Sequence, residues 1–463
     1  MIRKSNKLIK AIALSMVSVF LIACSEQNLT SQNVPETPAF VETVEETAST
    51  LAEEPEVTEE AENAETEEIV PILKDGVEKS LGCFIGCSAT GSEFDDENVW
   101  NIITTHFNAI TFGNELKPDA LFNYSNGLCP GVETVEFNGE TMEVPVLNFS
   151  RAEKALDKVK EWNDANPDNI IKVRGHVLVW HSQTPEWFFH EGYDKNKDYV
   201  SKETMNKRLE WYISSVLTHF TGEDSKYKGM FYGWDVVNEA MSDGQGGVDG
   251  LRCDAEDASE PLSKDTHGSN SSWYHIYQSN EYIINAFTYA NKYAPADLEL
   301  YYNDYNECQA IKRTNIIKLL KAIKEKEGEP GVGTRISAMG MQGHYQMGNP
   351  DFSTVAASIA LYTDAVGAVQ ITELDIATDT DFNSSAELTQ AEDEKLTKRY
   401  RMLKYGITTA INQGGNLEGI TFWGTVDKYS WLQGTHTNKQ MPLLFDDNYE
   451  PKDSFYVFAT DGQ

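Results

Sequence analysis

From about residue 80 onward, short apolar runs alternate with longer segments whose apolar residues recur every three or four positions. The runs fall at 81–86, 109–112, 172–179, 230–237, 298–303, 336–340, 368–374 and 419–423. Short, apolar and rich in β-branched residues, they read as buried strands. Between them, Met205, Leu209, Ile213, Val216 and Phe220 trace one helix face, and Leu396, Tyr400, Leu403, Ile407 and Ile411 trace another. Eight strands with helices between them predict an α/β fold with a parallel sheet, and the count suits a closed (β/α)8 TIM barrel. The stretch exceeds a minimal barrel, so it carries insertions. The clearest covers 124–148, where Asn138-Gly139-Glu140 between two short runs predicts a hairpin.

Two of the runs end in glutamate: WDVVNEA places Glu239 and VQITELDI places Glu373. An unpaired carboxylate is costly among apolar neighbours, so an acid at a strand end belongs at a mouth or crevice. In a parallel barrel that mouth is the C-terminal face, where catalytic groups gather. Asn238 and Glu239 close the fourth run, and Glu373 and Asp375 close the seventh. Spaced two apart on a strand, Glu373 and Asp375 should point the same way. Two carboxylates from different strands are the minimum equipment for hydrolysing a glycosidic bond.

The formal charge of −35 argues against nucleic acid as a partner, because phosphate binding needs a basic footprint. Much of the charge is local, since residues 11–73 hold 14 Glu and no Lys or Arg. Ahead of them, Arg3, Lys4, Lys7 and Lys10 precede an apolar stretch, 11–23, that is too short to span a bilayer. It ends in Leu21-Ile22-Ala23-Cys24, which resembles a bacterial lipobox and implies cleavage before Cys24 and lipidation there. The expected order is a signal peptide over 1–23, an acidic disordered linker over 24–72 and one catalytic domain over 73–463. The product is expected to be exported and lipid-anchored at the bacterial cell surface through Cys24. Five further cysteines at irregular spacing do not make a disulfide framework and read as free thiols. The Asp- and Gly-rich stretch 243–260 lacks the spacing of a calcium loop and reads as a surface loop.

Six motifs then follow in order: RGHVLVWHSQTPEW from Arg174, WDVVNEA from Trp234, YYNDYN from Tyr301, MGMQGHY from Met339, QITELDI from Gln370 and FWGTVDKYSWL from Phe422. Together they resemble glycoside hydrolase family 10, the endo-β-1,4-xylanases, over about residues 80–460. The resemblance implies Glu239 as general acid/base and Glu373 as nucleophile of a retaining double displacement, with the carboxyl groups roughly 5–5.5 Å apart. Glu239 would begin protonated, a form that the negative charge of Glu373 favours. His344 and Asp375 match the pair that holds the nucleophile, and Asn238 matches the donor to the sugar 2-hydroxyl. Asn114, Lys117, His176, Trp180, His181 and Gln342 match the glycone lining, and Trp423 and Trp431 match its tryptophans. Tyr305 and Asn306 match the aglycone side. Xylan and xylo-oligosaccharides are the implied partners of a monomeric chain, and the chemistry requires no metal or organic cofactor.

One position departs from the family pattern. Where Glu-Asn commonly follows the second strand, this chain has Gly113-Asn114. Either a neighbour such as Glu115 replaces the carboxylate or affinity for that sugar unit is reduced. Two other readings of the chain stay open: a β-1,4-glucan or aryl β-glycoside hydrolase with the same site, and a non-catalytic sugar-binding lipoprotein, which has no need of paired carboxylates.

Overall fold

The computed structural model describes residues 70–123, 127–244, 246–253, 271–378 and 389–460. Eight parallel strands form its centre: β1 (Phe84–Ala89), β2 (Ala109–Phe112), β3 (Lys172–Gly175), β4 (Phe231–Asn238), β5 (Glu299–Asp304), β6 (Ala338–Met341), β7 (Val369–Ala377) and β8 (Leu417–Phe422). Each pairs with its successor, and β8 pairs with β1 through Phe84 opposite Gly419, so the sheet closes. Helices connect consecutive strands, including Lys202–Thr221 after β3 and Gln390–Asn412 after β7. This is the (β/α)8 barrel that the alternation predicts. The apolar helix stripes are buried: Met205, Leu209, Ile213, Val216 and Phe220 in one, Leu396, Tyr400, Leu403 and Ile407 in the other.

The ends of these helices are specified locally. Thr389 and Glu392 form a reciprocal capping box that starts Gln390–Asn412. Asp351 caps Phe352–Val366 by accepting from the Thr354 N–H. The predicted hairpin pairs Val132–Phe137 with Glu140–Pro145. Its turn residues Asn138 and Gly139 have φ of 51° and 81°, the positive values that a two-residue hairpin turn requires.

The third apolar run does not form one strand. β3 stops at Gly175, and a two-residue strand, Val179–Trp180, rejoins the sheet beside the end of β4. Across the break the His176 ring meets the Asp235 carboxylate at 2.9 Å, and the Leu178 N–H bonds the Asp235 carbonyl at 3.1 Å. The consequence is local: Trp180 comes into register with Asn238. A second short strand, His344–Gln346, likewise sets His344 against Asp375 on β7. β4 slips register near its C-terminal end, between Asp235 and Val237, and β7 slips in its middle, between Ile371 and Leu374. Such irregularities re-aim side chains: the first precedes Glu239, and the second encloses Glu373, which stands inside β7 rather than at the strand end that the apolar run predicts. Cys83, Cys87 and Cys308 are buried free thiols, Cys129 is half-buried, and Cys253 is buried.

Candidate active site

A cavity of about 610 Å3 opens at the C-terminal ends of the strands. Asn114, Lys117, His176, Trp180, His181, Asn238, Glu239, Tyr305, Asn306, Gln342, His344, Glu373, Trp423 and Trp431 all line it. Asp375 is set behind His344. The structure therefore brings together every predicted site residue of the barrel; Cys24 lies outside the described residues.

Glu239 follows the last residue of β4 and has a φ of 55°, a conformation that a residue with a side chain adopts only when its surroundings enforce it. Two bonds do so: its N–H donates to the Asn303 carbonyl at 2.8 Å, and its carbonyl accepts from Arg252 Nε at 3.1 Å. The turn puts the carboxyl over the cavity rather than into a helix. There Oε2 accepts from the Trp180 indole at 2.8 Å, while Oε1 accepts from Gln342 at 2.9 Å and Asn238 at 3.1 Å. All three donors are neutral.

Glu373 is differently placed. Its Oε1 accepts from Asn303 Nδ2 at 2.8 Å, and its Oε2 faces His344 Nε2 at 3.3 Å. The other ring nitrogen of His344 meets Asp375 Oδ1 at 3.0 Å, and Asp375 Oδ2 accepts from the Trp431 indole at 2.8 Å. Glu373 and Asp375 therefore reach the same imidazole, as their spacing predicts. Burial alone would lower the affinity of His344 for a proton, but the two carboxylates outweigh it and hold its pKa well above the ordinary histidine value. Burial likewise pulls the Glu373 carboxyl upward, yet the His344 bond, the nearby His176 and His344 charges and the Asn303 bond hold it below the usual glutamate range. A chain of neutral amides joins the two acids: Gln342 and Asn303 both donate to Asn238 Oδ1, at 3.1 Å and 3.0 Å, while Gln342 reaches Glu239 and Asn303 reaches Glu373.

The rest of the wall is held from behind. Arg174 clamps Asp235 through Nε at 3.0 Å and an Nη at 2.5 Å, and the His176 ring donates to the same carboxylate at 2.9 Å. The carboxylate fixes the imidazole orientation. Lys117 lies 5.1 Å over the Trp180 ring and donates to Asn114 at 3.3 Å. Burial lowers its pKa, against the pull of Glu373 and Glu239. Trp431 is 46% exposed although its N–H is tied to Asp375, so an indole of fixed orientation keeps its face open to the cavity.

Several residues escaped the sequence reading. Asn303, inside YYNDYN, holds Glu373, but on sequence it is one polar residue in an apolar run. Arg252 lines the cavity and reaches both the Glu239 carbonyl and Tyr305, whose hydroxyl accepts from it at 2.9 Å. Two expectations need correction. Asp243 does not sit in a bland surface loop: it is half-buried and accepts from Tyr305 at 2.9 Å and Lys312 at 2.9 Å, bracing the Tyr305 wall. Residues 245 and 254–260 of that stretch lie outside the described residues. Glu115 does not replace the missing carboxylate at Gly113. Its Oε1 accepts from the Thr90 hydroxyl and the Gly91 N–H, both at 2.8 Å, and its Oε2 from the Asn114 N–H at 3.2 Å, which turns it away from the cavity.

A closed parallel barrel with paired carboxyls at its mouth and indoles along the wall defines a barrel hydrolase of the glycosidase class. The chain belongs to glycosyl hydrolase family 10, whose sequence pattern it matches over residues 73–461. It is 33% identical to endo-1,4-β-xylanase A of Thermotoga maritima over 396 residues, 85% of this chain and 31% of the relative. To the bifunctional endo-1,4-β-xylanase XylA of Ruminococcus flavefaciens it is 33% identical over 77% of this chain and 31% of the relative. It thus spans about a third of the length of these curated relatives. Among solved structures it resembles the carbohydrate-binding and catalytic modules of Clostridium thermocellum xylanase 10B in complex with xylohexaose, with a TM-score of 0.66, 29% identity and coverage of 84% of this chain and 67% of that one. It also resembles xylanase B of Clostridium stercorarium, with a TM-score of 0.64, 26% identity and coverage of 84% and 99%.

Proposed function

We propose that this protein is a retaining endo-β-1,4-xylanase that cleaves internal linkages of xylan. The observation that carries the proposal is the contrast between its two carboxyls. Glu373 faces a cationic His344, which favours a carboxylate ready to attack. Glu239 faces only neutral donors, the surroundings of a group that must both give and take a proton. In the first step Glu373 attacks the anomeric carbon while Glu239 protonates the departing glycosidic oxygen, leaving a covalent glycosyl ester. In the second, Glu239 takes a proton from water as that water attacks the anomeric carbon and releases Glu373. Asn238, held by Asn303 and Gln342, would meet the 2-hydroxyl, and the Trp423 and Trp431 faces would flank the same sugar. The relatives named as endo-1,4-β-xylanases and the neighbour bound to xylohexaose favour xylan as the glycan.

The test is digestion of xylan, arabinoxylan, cellulose and mixed-linkage glucan by wild type, Glu373→Ala and Glu239→Ala. Xylan cleavage is expected from wild type, with losses of about 10²- to 10⁴-fold when Glu239 is removed and at least as large a loss without Glu373. Undiminished cleavage by Glu373→Ala would refute the mechanism, and selective cleavage of glucans would refute the substrate. Proton NMR of the first product should show the β-anomer; initial α-anomer contradicts retention.

A further inference from the structure

One buried acid in the cavity has no part in the two-carboxylate scheme. Glu93 comes from the 3-10 turn Gly91–Asp95 after β1, is only 7% exposed, and lines the wall formed by Ser88, Thr90, Gly113 and Asn114. Burying a carboxyl is costly unless something compensates it. Its surroundings make matters worse: burial pushes its pKa up to about 8, the Thr90 backbone opposes this, and the negative Glu115 and Asp96 add to it. Among the described residues no ion-pair partner balances it. A group this poorly served by its own protein is explained when a ligand completes it.

The neighbouring wall has the matching gap. Gly113 presents no side chain, and a Cβ built there would meet nothing closer than Thr90 at 3.4 Å, so packing does not demand the glycine. Glu115, the acid nearest in sequence, is consumed by Thr90, Gly91 and Asn114. Glu93, unlike Glu115, lines the same cavity as Gly113. From this arrangement we infer that Glu93 is a substrate-binding residue: its carboxyl hydrogen-bonds the hydroxyls of a sugar unit on the glycone side, beyond the unit held over Glu373. Protonated, a carboxyl offers one donor and one acceptor, which suits a vicinal diol; ionised, it accepts from both hydroxyls. Lys117 and Asn114 on the same wall supply the remaining donors. Glu93 thereby sets chain-length preference. It neither attacks nor transfers a proton.

This inference rests on the xylanase reading, and its test separates the two. The kcat/KM values for an aryl β-xyloside, with one sugar on the glycone side, and for an aryl β-xylotrioside, with three, are measured for wild type, Glu93→Ala and the isosteric Glu93→Gln. The ratio of trioside to monoside should fall about 10- to 100-fold in Glu93→Ala, the range of a lost hydrogen bond to a carboxyl, mainly through KM. Glu93→Gln, which keeps the side chain's volume and serves if the alanine variant does not fold, should lower the same ratio by a smaller factor. A purely structural carboxyl would lower both substrates together and shift the melting temperature, leaving the ratio unchanged. An unchanged ratio in folded, active variants overturns the role of Glu93 alone. Wild-type protein inert toward both substrates overturns the xylanase reading, and Glu93's role with it.

Discussion

His344 bears on the reaction without touching the reacting bond. Its imidazole is shared by Glu373 at 3.3 Å and Asp375 at 3.0 Å, and Trp431 pins the far oxygen of Asp375. The cation so created is one of the influences that hold the Glu373 carboxyl below its ordinary range despite burial. The sign of the pH effect follows. Glu373 has to be ionised to attack, so a depressed pKa keeps the enzyme active down to more acid solution. His344→Gln removes that charge and leaves only the His176 charge and the Asn303 bond against burial, so the acidic limb of kcat/KM should move to higher pH. Each unit of that displacement lowers the rate about tenfold at a fixed pH on the limb. A pH profile of wild type and variant on one xylo-oligosaccharide decides it; coincident acid limbs would show that His344 does not tune Glu373. The site's two main acids were legible because a charged residue ending an apolar run stands out. Glu93 was not, since it reaches the same wall as Gly113 only through the pairing of β1 with β2, and adjacency in sequence made Glu115 the more obvious choice.

Between strands, the site depends on what is left out as much as on what is present. On β6, a Cβ at Gly340 would lie 2.3 Å from Asn303 Oδ1 and 3.1 Å from an Nη of Arg174. Asn303 on β5 cannot yield freely, because its Oδ1 accepts from Thr372 at 2.7 Å and its Nδ2 serves both Asn238 and Glu373. Gly340→Ala should therefore cost about 1–3 kcal/mol of stability by overpacking. It should also lower kcat by up to about 100-fold, because the amide that positions the nucleophile must shift. Thermal melts and kinetics on one preparation test this, and full kcat at reduced stability would uncouple β6 packing from the nucleophile. The strands and the long helices could be read from periodicity, and the hairpin from Asn138-Gly139. The break after Gly175 could not, because the contacts that accompany it, such as the buried bond between His176 and Asp235, join residues far apart in sequence. Asn303 and Gly340 were hidden for the same reason: their roles exist only across the barrel interior.

At the scale of the whole chain, the question is how a protein with a formal charge of −35 would stay at a bacterial envelope. Anionic lipid repels an acidic chain, and residues 11–73 supply 14 Glu without one Lys or Arg, so electrostatic adhesion through this stretch is unfavourable. We therefore propose attachment by lipidation of Cys24 rather than by peripheral charge contacts. Acyl chains buried in a bilayer are held by the hydrophobic effect and are indifferent to ionic strength, whereas charge-based contacts are screened within a few ångströms in about 1 M salt. Fractionation of cells expressing the full chain tests this. Wild type should stay with the membranes through a high-salt wash and enter the detergent phase on extraction, while Cys24→Ser should lose detergent partitioning. Since Cys24 lies outside residues 73–461, the stretch that matches the family, kcat/KM on soluble xylo-oligosaccharides should agree within about twofold between the two, a difference of some 0.4 kcal/mol. Release of wild type by salt alone, or persistence of Cys24→Ser in the detergent phase, would refute the anchor and leave the barrel's chemistry as it stands.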